Sequence, residues 1–180
     1  MSAREAKTAM QNPRPSTVAL GVDSGSLSTG YGIVRAEGGL HRALGFGAIR
    51  NDSQVPHPER LAFIYRRLRQ IMDEFHPDLL ALEEVFVSKN VQSALKLGQV
   101  RGAVMVAAAE AGIPVVELAP NTVKAAVTGH GHAEKGQVQF MVKAILGLAS
   151  IPKPHDAADA LALAICALNR RASTALEGTP

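Results

Sequence analysis

The chain has a single cysteine, no tryptophan, and only 4% aromatic residues among its 180. One thiol, Cys166, can form no intrachain disulfide, and its neighbours Leu163, Ile165 and Leu168 mark it as a buried group suited to a reducing cytoplasm. Long apolar runs are also missing. The longest stretch of small apolar residues, Ala103 to Ala109, is bracketed by Arg101 and Glu110 and falls far short of the ~20 residues that span a bilayer. No secretory apolar segment stands at the N-terminus, so no membrane association is expected. A large excess of charge is absent as well: the formal net charge is only +3, although the pI near 9.2 and local basic clusters point to positive charge gathered in patches. Such patches are compatible with a nucleic-acid partner without establishing one.

What is present is enough apolar material for one core. With 47% hydrophobic residues, a chain of this length suits a single domain burying about 70% of its unfolded surface. Residues 1–17 are polar and contain Pro13 and Pro15, and residues 172–180 are similar, so both read as flexible ends around a domain of residues 18–171.

The pattern between those ends is α/β. Val18–Asp23, Tyr31–Ala36 and Leu40–Ile49 read as three strands of an antiparallel meander with Gly-rich turns. Pro58–Phe75 has Leu61, Ile64, Leu68, Ile71 and Phe75 at helical spacing, with Arg60, Arg66, Arg67 and Arg69 read as a solvated face. A strand over Asp78–Glu84, a long helix from about Asn90 to Ala111, a strand over Ile113–Leu118 and three shorter helical stretches complete a mixed five-stranded sheet flanked by helices.

Four carboxylates sit at the ends of these elements. Asp23 closes the apolar run of LGVDSG, and Glu83 with Glu84 closes that of LLALEE, so two parallel neighbouring strands would present acids at one sheet edge. Asp156 and Asp159, in HDAADALALA, lie three residues apart on one face of a helix whose Leu161, Ala164, Ile165 and Leu168 have core spacing. Gathered carboxylates repel one another unless a cation joins them. All-oxygen donors without a Cys partner suit Mg²⁺ or Mn²⁺ rather than Zn²⁺, and the matching chemistry is two-metal phosphodiester hydrolysis with ions roughly 4 Å apart. Each acid also has a plain reading. Asp23 suits a turn, one of Glu83 and Glu84 a solvated strand end, and Asp156 and Asp159 a helix cap and first turn. Only the combination favours a site.

From about Val18 to Arg170 the chain resembles the RuvC-type Holliday junction resolvases of bacteria, which have the RNase H-like fold. The resemblance is carried by GVDSGSLSTGYGIV, LEEVFVSKNVQSALKLGQVRGAV, GHAEKGQVQFMV and HDAADALALA, in the family's order and spacing. It implies that Asp23, Glu83, Asp156 and Asp159 are the metal-binding catalytic acids, and it favours Glu83 over Glu84. It implies a metal-dependent endonuclease that makes paired nicks in four-way DNA junctions, leaving 5′-phosphate and 3′-hydroxyl ends, in partnership with the RuvA and RuvB branch-migration proteins. Ser24 departs from the family, which more often has Pro there. Lys124 and Lys135 match basic positions the family uses near the scissile strand. Lys89 is a third candidate for phosphate contact, Arg101 and Lys143 weaker ones, and Phe86 resembles the residue that stacks on unpaired bases at the crossover. As lone residues, the lysines read as surface charges and Phe86 as core.

The long helix carries Val91, Leu95, Gly98, Gly102, Met105, Ala109 and Gly112 in steps of three and four, forming one seam. Each interior glycine costs about 1 kcal/mol relative to Ala, so a close-approaching surface is expected there. That surface is either the chain's own sheet or, as the resemblance implies, a two-fold homodimer. His130 and His132 flank Gly131 and read as solvent-exposed, with no zinc assigned, and His155 reads as a cap. Two other classes stand beside the nuclease. One is a non-catalytic junction-binding protein of the same fold. The other is an ATPase of the actin and sugar-kinase type, whose first phosphate loop DSGSLSTGYG resembles but whose second lobe 180 residues cannot hold.

Overall fold

The computed structural model describes residues 16–84 and 90–177. Its elements run β1 (Thr17–Asp23), β2 (Ser28–Glu37), β3 (Leu40–Arg50), α1 (His57–Phe75), β4 (Leu79–Glu83), α2 (Val91–Glu110), β5 (Val115–Leu118), α3 (Pro120–Thr128), α4 (Lys135–Ile145) and α5 (His155–Glu177). The five strands form one sheet in the order β3-β2-β1-β4-β5. β1, β2 and β3 make the antiparallel meander, and β4 and β5 add to β1 in parallel. This is the mixed sheet of the RNase H-like fold.

Alternation along the strands divides the interior into two cores. Leu20 and Val22 of β1 and Leu80 and Leu82 of β4 pack with Ile64, Leu68 and Met72 of α1 and Val100 and Val104 of α2. The opposite parity, Ala19, Leu79 and Ala81, packs with Val123 of α3, Val138 and Val142 of α4, and Leu161 and Ile165 of α5. The two faces are unlike in bulk. Large side chains point at α1 and α2, whereas Gly21, Gly30 and Gly32 let α5 lie almost directly on β1 and β2. A Cβ at Gly21 would stand 1.9 Å from the Ala160 carbonyl oxygen, and one at Gly30 would stand 2.1 Å from that of Asp156.

Two expectations need correction. The last helix is not short: α5 has 23 residues and continues to Glu177, past the boundary drawn at residue 171. Its run from Ala157 to Leu168 is almost wholly apolar and buried, which makes it the central helix of its layer. The arginines of α1 are not all solvated either. Arg60 is buried, with Nη2 beside His57 Nδ1 at 3.3 Å. Among the described residues no helix is long and apolar enough to cross a membrane.

The glycine contacts give opposite expectations for one substitution. Gly21→Ala should reach or exceed the about 1–3 kcal/mol typical of overpacking, because the obstacle is backbone. Gly136→Ala, on α4 with nothing within 4 Å among the described residues, should raise stability by about 0.5–1 kcal/mol. Urea unfolding of the two variants checks both signs.

Candidate metal-dependent nuclease centre

Strand parity, helix seating and two lysines build the site. Asp23 is the last residue of β1 and shares the parity of Ala19 and Gly21, so its side chain emerges on the α5 side. Glu83 ends β4 with the parity of Leu79 and Ala81 and emerges on the same side. Glu84 is one residue out of phase, and its backbone N–H continues the ladder to the Leu118 carbonyl at 2.9 Å. Alternation thus separates the two glutamates that the sequence left side by side. The seating of α5 on Gly30, which pairs with Asp23, brings the first turn of that helix over the strand ends.

Asp23, Glu83 and Asp159 line one cavity of about 250 Å³, together with Lys124 of α3, Lys135 of α4 and the apolar walls Pro120, Val123, Val138, Ala162 and Leu163. Asp156 stands beside it, with its Oδ2 accepting a hydrogen bond from Ser28 Oγ. The Lys135 ammonium lies 2.8 Å from Asp159 Oδ2. That hydrogen bond, together with the charges of Asp159, Asp23 and Asp156, holds the Lys135 ammonium above the usual lysine range. Burial and the neighbouring Asp159, Asp156 and Glu83 charges push Asp23 up to about 7. Burial, then Asp159, also raises Glu83, against the opposing pull of Lys124, Arg101 and Lys135.

The cluster is therefore strained first by burial of its carboxylates and then by their mutual repulsion, and a hard cation relieves both. The donor set is all oxygen. Among the described residues no three His, Cys, Asp or Glu side chains already converge as a closed cage. Asp156 leans to Ser28 and Asp159 to Lys135, so the carboxylates are neighbours rather than a preformed shell. Cation ligands of the Mg²⁺ type, which keep waters and substrate oxygens in their shell, match such an open arrangement. A zinc cage of histidines does not: His130 and His132 lie in the loop between α3 and α4, and exposed His155 shares a 2.8 Å hydrogen bond with the buried Gln139 amide.

The remaining candidates divide. Lys124 and Lys135 face the acids. Phe86 and Lys89 lie outside the described residues. Arg101 is not a surface cation: it is 9% exposed and its guanidinium donates to the Glu83 carbonyl and the Glu117 carboxylate. Ser24 keeps its hydroxyl buried without a hydrogen-bond partner among the described residues. Sequence reasoning passed over Ser28, Glu117 and the glycines under α5. Only the glycines had a legible signal, as small residues at every second place in β1 and β2.

Comparison with known proteins decides the family. The family model described as crossover junction endodeoxyribonuclease RuvC matches residues 19–167. The chain belongs to the RuvC family. The RuvC of Chlorobium phaeovibrioides is 53% identical over 154 residues, covering 85% of this chain and 82% of that protein. The Thermus thermophilus RuvC structure superposes with a TM-score of 0.81 at 40% identity, covering 88% of this chain and 98% of that one. The same protein in complex with a Holliday junction substrate gives a TM-score of 0.83, covering 88% and 97%. RuvC proteins are divalent-metal-dependent nucleases, and the oxygen-donor cavity between β1, β4 and α5 is where this chain can host that chemistry.

The raised Asp23 carboxyl predicts a pH slope in metal-free protein. Because its folded value lies near 7 and its ordinary value at 3.8, its stabilising contribution is complete below pH 3.8 and is lost as pH rises through 7. Asp23→Asn removes that loss. In EDTA, the variant should match wild type near pH 4 and exceed it at pH 8 by on the order of 4 kcal/mol, read from denaturant curves.

Proposed function

We propose that this crossover junction endodeoxyribonuclease of the RuvC family resolves Holliday junctions through Asp23, Glu83, Asp156 and Asp159 acting as ligands for two Mg²⁺ or Mn²⁺ ions. The observation that carries the assignment is the convergence of three of these acids on one cavity, with the fourth beside it and two lysines on its wall. Bound there, divalent ions supply an activated water and neutralise charge on the leaving oxygen. The chain's own groups do the rest. The Asp23 carboxyl, raised to about 7, would have to lose its proton to hold a cation. Ser28 holds one oxygen of Asp156 and leaves the other available. Lys135 and Lys124 put positive charge where a phosphodiester enters, fixing the strand by its backbone without reading bases. Val123, Val138 and Leu163 limit water on one side of the cavity. The non-catalytic junction binder is disfavoured by family membership and by this donor set.

The same reading includes a two-fold homodimer built on α2. Val91, Leu95 and Val106 are 66%, 59% and 52% exposed, and among the described residues Gly98 and Gly102 have nothing within 4 Å of an added Cβ. The chain's own sheet therefore does not account for these glycines. Two copies joined along this face would present two active sites to a four-way junction, matching its symmetry. Cooperation with RuvA and RuvB and a cytoplasmic setting follow from the family reading.

Asp23→Asn should bind a synthetic four-way junction within about threefold of wild type in Ca²⁺, yet cleave it at least about 1,000-fold more slowly in Mg²⁺. Gel shift and single-turnover cleavage of end-labelled junction beside a matched linear duplex measure the two effects. Leu95→Glu should shift the protein from dimer to monomer in sedimentation velocity and abolish paired nicking.

A further inference from the structure

The end of β4 is held unequally. Its pairing with β1 stops at Val22 and Leu82, one residue before Glu83. On the other side, Glu83 pairs with Leu118 of β5, and Glu117 lies beside Leu82. Arg101 reaches these two strand ends from α2. Its Nη1 donates to the Glu83 main-chain carbonyl and its Nη2 to the Glu117 carboxylate. The guanidinium is buried, while Glu117 is about half exposed. A planar fork meets the two acceptors from two separate nitrogens in fixed geometry, whereas a lysine would bring a single nitrogen on a flexible stem to both.

We propose that Arg101 is a positioning residue for Glu83, clamping the last peptide of β4 to β5 so that the Glu83 carboxylate is presented to the metal cavity. This rests on the reading of Glu83 as a metal ligand. Net stability is a poor reason to bury such an ion pair, since well-packed apolar residues of similar volume commonly do as well. The placement gives a better one: the bond falls on the backbone of the acid itself, where β1 no longer constrains it. Gly98 and Gly102, on the exposed side of α2, flank the residue whose side chain holds the strand end.

The test uses Arg101→Gln, Arg101→Lys, Glu117→Gln and Glu83→Gln in the full chain. Mn²⁺ binding is followed by electron paramagnetic resonance, junction affinity in Ca²⁺, and single-turnover cleavage across a Mg²⁺ titration. Both Arg101 variants should weaken Mn²⁺ binding and slow cleavage by about 10- to 100-fold, the range seen when the partner of a metal ligand is lost. Junction affinity should stay within about threefold. Glu117→Gln keeps an acceptor for the guanidinium and should lose less than about 10-fold. A folded Arg101→Lys with wild-type Mn²⁺ affinity and rate, even with a lower melting temperature, would reduce the pair to a structural tie and overturn the proposal. If Arg101→Gln does not fold, Arg101→Lys decides alone in the same way. Glu83→Gln separates the two readings: wild-type Mn²⁺ binding in that variant refutes Glu83 as a ligand, whereas weakened binding there with none in Arg101→Lys refutes only the clamp.

Discussion

The close seating of α5 on β1 and β2 is the constraint from which the rest follows. Packed layers of secondary structure normally stand about 10 Å apart because side chains fill the gap. Here Gly21, Gly30 and Gly32 remove those side chains, and Ala157, Ala160 and Ala164 keep the facing helix slim. The helix therefore begins directly above the end of β1. Its first turn carries Asp156 and Asp159 for the same reason that its middle carries alanines: both lie on the face that meets the strand. Packing and the placement of the acids are one arrangement.

Electrostatics then works against packing. Burial and like charges raise Asp23 and Glu83, and the protein answers with Lys135, Lys124 and Ser28 rather than by separating the acids. The fold supplies the free energy that holds the carboxylates together, and a cation returns part of it. This is the usual position of a site whose residues are chosen for chemistry at some expense to stability.

Much of this was legible in the sequence, for identifiable reasons. Strand ends at Asp23 and Glu83 follow from apolar runs closed by a turn residue or an acid, and the Asp156 and Asp159 pair follows from helical spacing. The choice between Glu83 and Glu84 was also latent in the alternation of Leu79, Ala81 and Glu83, although the resemblance was what expressed it. The length of α5 was missed because Arg170, Arg171, Ser173 and Thr174 look like a polar tail, whereas a helix already anchored by its buried first half can continue through them. Arg101 was read as a surface cation because periodicity identifies the helix but not which arginine finds acceptors on a neighbouring strand. That information lies in the packing of α2 against β4 and β5, contacts too distant in sequence for any local pattern to encode.

The hydrogen bond from Ser28 to Asp156 joins residues separated by 128 positions. Asp23 comes from the first strand and Asp159 from the last helix, so the acids meet only when the two extremes of the domain dock. Such long-range closure is slow compared with local helix formation. It also means that a chain still being synthesised, with its meander already paired, holds only part of the acid set. Until the last helix docks, the strand ends present Asp23 and Glu83 alone, so the full group of acids exists only in the completed domain.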